Sequence, residues 1–226
     1  MEDITILSTY TIDRLIDKDG KLIREQGGGP AYYLENALAK EKVSLSLRAF
    51  DKNVLIEIMI TDDGEFGRVP SKQTPVTVDY SGIRTPNLLI STILDEFDLS
   101  GLDEFKGRTF FDMQGYVRDG YDFGKKKQWD PGAGIIRNIY CLKGTKEEIQ
   151  YVPARYIENQ KKRVLIITDG DEGCEIFAFG DGRKMAPTKA IASPNTVGAG
   201  DTFFAYFVSC VIETDDVFRS ARYAVD

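Results

Sequence analysis

Histidine is absent from this chain of 226 residues. That excludes a histidine general base or a histidine-centred triad, and it removes the commonest donor of catalytic zinc sites. Any proton acceptor must therefore be a carboxylate, lysine, tyrosine or cysteine. Cysteine is scarce as well: Cys141, Cys174 and Cys210 are far apart, odd in number and flanked by apolar residues. They read as buried free thiols in a reducing cytoplasm rather than as a disulfide framework. No apolar run has membrane-spanning length and no signal peptide stands out, so the chain is expected to be soluble and cytoplasmic, without a membrane partner. Basic clusters are lacking too. Lys125-Lys126-Lys127 is a short run, with a solvated loop as its expected role, and the net charge is −7, which argues against nucleic acid as a partner.

What is present suffices for a packed core. Hydrophobic residues make up 42% and aromatics 11%, and the length accommodates one sizeable α/β domain. Ile4 to Leu7 suits a first strand, and Asp19-Gly20 marks a hairpin turn within Asp13 to Arg24. Pro30 suits the first turn of a helix running to about Lys40. Val43 to Leu47, Val54 to Ile60 and Pro75 to Asp79 read as β segments, with Asp62-Asp63-Gly64 supplying a turn. From Asn87 onward, Leu88 to Ile90, Arg108 to Phe111, Ile139 to Leu142 and Val164 to Ile167 look like buried parallel strands. Helices are expected around Ile93 to Phe97 and Lys146 to Tyr151, and a hairpin over Cys174 to Phe179 and Arg183 to Met185. The layout predicts an α/β fold: a doubly wound, mostly parallel sheet with a small β lid built from about 13–26 and 54–80.

The chemistry concentrates at Gly198-Ala199-Gly200-Asp201, which opens the apolar run Phe203 to Val211. A Gly-Ala-Gly turn at a helix start leaves backbone N–H groups free for an anion, and the helix dipole favours negative charge there. Asp201 in that first turn is placed to take a proton from an attacking hydroxyl. The plainer alternative is a capped helix whose acidic first turn complements the dipole.

These four residues resemble the C-terminal signature of the ribokinase-like (PfkB) carbohydrate kinases, and further matches follow in family order along nearly the whole chain. The resemblance implies an ATP-dependent kinase with Mg2+, acting on a sugar, a polyol such as myo-inositol, or a nucleoside. Asp201 would be the base and the N–H groups of Gly198, Ala199 and Gly200 the anion hole. Asp13, in Thr9-Tyr10-Thr11-Ile12-Asp13, and the Gly27-Gly28 turn would hold the acceptor; Tyr32 or Tyr33 occupies the place where the family carries Asn. Thr168, Gly170 and Gly173 resemble the strand-end segment lining the nucleotide site. Leu142 to Glu148 resembles the Asn-x-x-Glu region, with Thr145 in the Asn position, Glu148 linked to the metal, and Lys143 beside the nucleotide phosphates. Arg118, behind Asp112-Met113-Gln114-Gly115, would neutralise the transferred phosphoryl group, or else pair with a surface carboxylate. Asn195 stands where many relatives carry Asp, some of which hold a monovalent cation in that loop. Only about one helix and the start of another follow Asp201, whereas relatives usually continue with a helix beside the adenine site, so the expectation is either a short member or a truncated chain. A homodimer through an edge strand of the lid is a further expectation. A non-catalytic sugar or nucleotide sensor of the same fold is the alternative, favoured by the altered Asn positions and opposed by the retained Asp201.

Overall fold

The apolar strand runs find partners on both sides in a computed structural model, which describes residues 2–50, 54–61, 64–70, 73–189 and 196–226. In chain order the elements are β1 (Ile4–Ser8), β2 (Thr11–Ile16), β3 (Leu22–Gly28), α1 (Gly29–Leu38), β4 (Leu45–Ala49), β5 (Val54–Thr61), β6 (Gly64–Arg68), β7 (Asn87–Ser91) and β8 (Arg108–Asp112). They continue with α2 (Gln114–Val117), α3 (Gly132–Ile136), β9 (Ile139–Thr145), α4 (Ala154–Lys161), β10 (Val164–Thr168), β11 (Cys174–Ala178), β12 (Asp181–Met185), α5 (Ala199–Thr214) and α6 (Val217–Val225).

Eight strands form one sheet in the order β12-β11-β10-β9-β8-β7-β1-β4, parallel from β10 to β4. The β11–β12 hairpin adds an antiparallel edge. Every residue of β1 and β7 is buried, as expected of strands covered on both faces. The pleat then sorts alternate side chains to opposite sides. Ile4, Ile6 and Leu89 join a core under α1, α5 and α6, with Leu34, Phe204, Phe207 and Val217. Leu7, Leu88 and Ile90 join the other core, with Tyr116 of α2 and Tyr156 and Ile157 of α4. This is the doubly wound arrangement expected.

A smaller sheet, β3-β2-β5-β6, stands apart in topology. It contains the predicted hairpin as the β2–β3 pair, and β5 lies parallel to β2. Asp62 and Asp63 of the predicted turn lie outside the described residues.

Three expectations are corrected. Ile93 to Phe97 is not a helix. Its apolar spacing imitates one, but the backbone pairs elsewhere: Val76 N–H donates to Glu96 O at 2.7 Å, Asp98 N–H donates to Val76 O at 2.9 Å, and Phe97 bridges Val76. Pro75 to Asp79 contributes only that single bridge and no strand. Lys146 to Tyr151 shortens to one 3-10 turn, Glu148–Tyr151; the regular helix α4 starts only after Pro153, as a proline before the first turn allows. The expected late hairpin forms as β11 and β12 and turns at Phe179 and Gly180, both with positive φ.

Candidate active site

Four parallel strands, β1, β7, β8 and β9, end at one edge of the large sheet, where open α/β sheets bind ligands. The start of α5 lies over that edge. Ser8 Oγ at the end of β1 donates to the Ser91 carbonyl at 2.6 Å, and Ser91 Oγ at the end of β7 donates to Asp201 Oδ1 at 3.0 Å. The helix thus starts with its carboxylate held against the sheet. Burial is the main reason the Asp201 carboxyl is pushed up to about 6; Asp112 adds to it, while Lys143, the Ser91 hydrogen bond and Arg118 pull it down.

Beside Asp201 lies a buried ion pair. Lys143 Nζ donates to Asp112 Oδ2 at 2.5 Å, with the side chains only 4% and 1% exposed. Burial weakens the lysine's charge, but Asp112 and Asp201 more than offset it, so its pKa stays above the ordinary value. The ammonium sits beneath the first turn of α5, 3.4 Å from where a side-chain carbon on Gly200 would stand and 5.7 Å from the Phe204 ring centre. The Arg118 guanidinium stacks 4.5 Å over the Phe123 ring, and burial lowers its pKa against the fields of Glu148, Asp201, Asp112 and Glu96. Glu96, itself pushed by burial up to about 7, completes an enclosed group of charges.

Gly198 caps α5 in the left-handed region, φ +80. Thr202 N–H already donates to Gly198 O at 2.9 Å and Ala199 N–H to Thr196 O at 3.1 Å. Ala199 is therefore engaged within its own turn. The N–H groups of Gly200 and Asp201 have no acceptor among the described residues and face the helix start.

Across the strand ends, Asp13 of β2 is 2% exposed and accepts from Thr11 Oγ1 at 2.6 Å. Burial raises its pKa, and the Thr11 bond lowers it. A side-chain carbon on Gly28 would overlap this carboxylate, whereas one on Gly27 would meet nothing within 4 Å. Of the predicted glycine pair, only Gly28 is demanded by its surroundings. Gly29, φ +83, the next glycine of the same run, is demanded as well: a side chain there would press within 2.5 Å of the Thr9 carbonyl, which also receives the Ala31 N–H at 3.1 Å.

The remaining predicted residues fall at the next strand ends. Thr145 and Glu148 form a reciprocal cap: Thr145 N–H donates to Glu148 Oε2 at 2.8 Å, and Glu148 N–H donates to Thr145 Oγ1 at 3.1 Å. Glu148 is buried rather than solvated. Thr168 ends β10, and Gly170 and Gly173, both with positive φ, turn the chain into β11; Gly173 has no room for a side chain beside the Met185 carbonyl. Lys146 pairs with Asp169, joining this turn to β9. Asn195 lies outside the described residues.

Residues 141–226 match the model of the pfkB family carbohydrate kinases. The chain spans 98% of its length on a pyrophosphate-dependent kinase in the ribokinase family, solved with a pyrophosphate analog and myo-inositol, at TM-score 0.76, 16% identity and 92% of that chain. It shares that kinase's fold, and the match to the family model is confined to its C-terminal part. The ribokinase-like architecture also superposes on Arabidopsis thaliana ribokinase complexed with ribose and ATP, at TM-score 0.73 and 13% identity over 99% of this chain and 90% of that one. Inositol 3-kinase of Oryza sativa subsp. japonica is 35% identical over 80 residues, which are 35% of this chain and only 19% of the rice protein. The segment matched to the family model contains Lys143, Glu148 and Asp201; Asp13, Ser91 and Asp112 lie outside it and reach the site through the fold.

Proposed function

We propose that the chain transfers the γ-phosphoryl group of ATP to a hydroxyl of a polyol, sugar or nucleoside, with a polyol such as myo-inositol as the first choice. The observation that carries this reading is the Asp201 carboxyl: it is held by Ser91, raised to about 6 and set between the start of α5 and the Lys143–Asp112 pair. A base near that value is mostly ionised at neutral pH yet still basic enough to accept a proton. The similarity to a rice inositol 3-kinase and the fold shared with a kinase solved with myo-inositol put polyols first.

In this mechanism Asp13 accepts a hydrogen bond from one acceptor hydroxyl, and Gly28 keeps the approach open. Asp201 takes the proton of the reacting hydroxyl as its oxygen forms the new bond to the γ-phosphorus. The bond from that phosphorus to the bridging oxygen breaks, ADP leaves, and the proton on Asp201 passes to solvent. Gly200 and Asp201 N–H groups, with Lys143 below them and Arg118 alongside, stabilise the charge on the transferred group. Thr168, Gly170 and Gly173 line the nucleotide side. Among the described residues no group of three acidic or cysteine side chains is gathered as a metal cage, and one Glu148 oxygen is committed to its cap. Glu148 is the residue that would help hold Mg2+, and the ion would offset phosphate charge when bound. The smaller sheet serves as the lid that excludes water.

The test is product release with Mg-ATP, and in parallel with pyrophosphate, against polyols, sugars and nucleosides. Turnover of one acceptor with ATP, lost in Asp201→Asn, is the expected result. Turnover with pyrophosphate alone overturns the donor assignment. Binding of an acceptor without any transfer replaces the kinase with the sensor.

A further inference from the structure

We infer that Tyr33 joins the two halves of this site: its ring holds the Gly198 turn in place, and its hydroxyl donates to an acceptor oxygen adjacent to the reacting one. The inference deepens the phosphoryl-transfer reading and rests on it for the identity of the ligand.

The ring comes first. A side-chain carbon on Gly198 would overlap Cγ and both Cδ atoms of Tyr33, so the aromatic face lies directly on the α-carbon of the residue that caps α5. Gly198 has positive φ, and glycine's freedom there is what allows the ring so close. Tyr33 is carried on α1, whose first residue follows Gly28, the glycine packed on Asp13. One short element therefore touches the acceptor carboxylate at its start and the helix-start turn a few residues later. Tyr32 is exposed and crosses the Tyr33 ring edge-on at 5.2 Å and 86°, and none of its atoms is among the nearest to Gly198. Of the two tyrosines standing near the family's Asn position, Tyr33 is the one that faces the site.

The hydroxyl comes second. Tyr33 is half-buried, and its hydroxyl has no hydrogen-bond partner among the described residues. Burial first, then the carboxylates of Asp13 and Asp201, hold the phenol protonated. A protonated phenol within the fields of both carboxylates is a donor awaiting an oxygen. Asp13 and Asp201 can only accept hydrogen bonds when ionised, so between them they recognise two acceptor hydroxyls as donors. Tyr33 supplies the complementary donor. The ligand that satisfies all three is a compound with at least three neighbouring oxygens, such as a cyclic polyol or a sugar.

The experiment compares wild type, Tyr33→Phe and Tyr33→Ala by calorimetric titration with myo-inositol and the tightest-binding sugar of the panel, and by steady-state kinetics. Phe keeps the ring on Gly198 and loses the hydroxyl: acceptor Kd and KM are expected to rise about tenfold, the loss of one hydrogen bond, with kcat and donor KM unchanged. Ala loses both, so kcat also falls by at least about tenfold and donor KM rises. A Tyr33→Phe protein with wild-type acceptor affinity overturns the hydroxyl contact. A Tyr33→Ala protein identical to Tyr33→Phe overturns the coupling to Gly198. If wild type binds an acceptor but transfers nothing, the kinase reading fails while the Tyr33→Phe Kd still decides the inference. If wild type binds none of the panel, both fall.

Discussion

Asp13 and Asp201 are both carboxylates with pKa raised chiefly by burial, Asp13 being 2% exposed and Asp201 partly buried. Their surroundings differ. Asp13 has a neutral partner, the Thr11 hydroxyl, and a glycine pressed against it. Asp201 has Ser91, a buried lysine and an arginine within its field. The first environment is suited to accepting a hydrogen bond without changing charge; the second suits the proton exchange that the proposed mechanism asks of Asp201. In the proposed mechanism, what packs around them is what would make one of these two acids a holder and the other a base.

The largest break in this comparison is Asp201→Asn. Turnover is expected to fall by about 10²- to 10⁴-fold, the usual worth of a general base, while acceptor binding persists. The same change should raise the melting temperature near pH 7.5. Because the folded pKa, about 6, lies above the ordinary 3.8, the protonated form is favoured in the folded state. The stability tied to Asp201 is full below pH 4 and is lost as the pH rises through 6, and Asn escapes that loss. A melting temperature lowered by the substitution would contradict the burial assigned to this carboxyl.

Lys143→Met comes next. It strands Asp112 at 1% exposure and should cost about 3 kcal/mol or more in denaturant titrations. It should also lower kcat by about 10²-fold, as for the loss of one charge stabiliser in a closed site. Full activity with lowered stability would reduce the pair to a purely structural role.

On the other side, Gly28→Ala should displace the Asp13 carboxylate and raise acceptor KM by about tenfold, one hydrogen bond's worth, with donor KM unchanged. Gly27→Ala, where the space is open, should be nearly silent. Equal effects of the two would contradict the Gly28–Asp13 contact. The smallest expected effect is on pH. The log of kcat/KM should climb with unit slope below pH 6 and level off above it, while acceptor affinity of the Asp201→Asn protein stays flat there.

Much of the large sheet was legible because its strands are continuous apolar runs, and nothing but burial on two faces explains such runs. The helix expected at Ile93 to Phe97 was misread because Ile93, Leu94 and Phe97 carry helical spacing, while the deciding contact is with Val76, far back in the chain. The Gly198 to Asp201 turn was legible as local chemistry. Ser91 was not: a serine ending an apolar strand acquires its role only when α5 lands beside it, 110 residues later. The Lys143–Asp112 pair left a faint signal, a charged residue at the end of each of two buried strands, but their pairing depends on the register of β8 against β9. Tyr33 was visible only as a departure at the Asn position; what it touches is set by α1 packing on α5.

That long reach from Ser91 to Asp201 also bears on synthesis. A ribosome that has finished the first seven strands of this chain has made Asp13, Gly28 and Ser91, yet the carboxylate that would complete the site has not emerged. Domains of this size begin to organise while the chain is still growing. The nascent protein would pass through a stage able to collapse around its sheet but unable to transfer phosphate. Under the proposed function, catalytic competence would arrive as a late event, switched on by the docking of α5, and the growing chain would have no opportunity to waste nucleotide before it is folded.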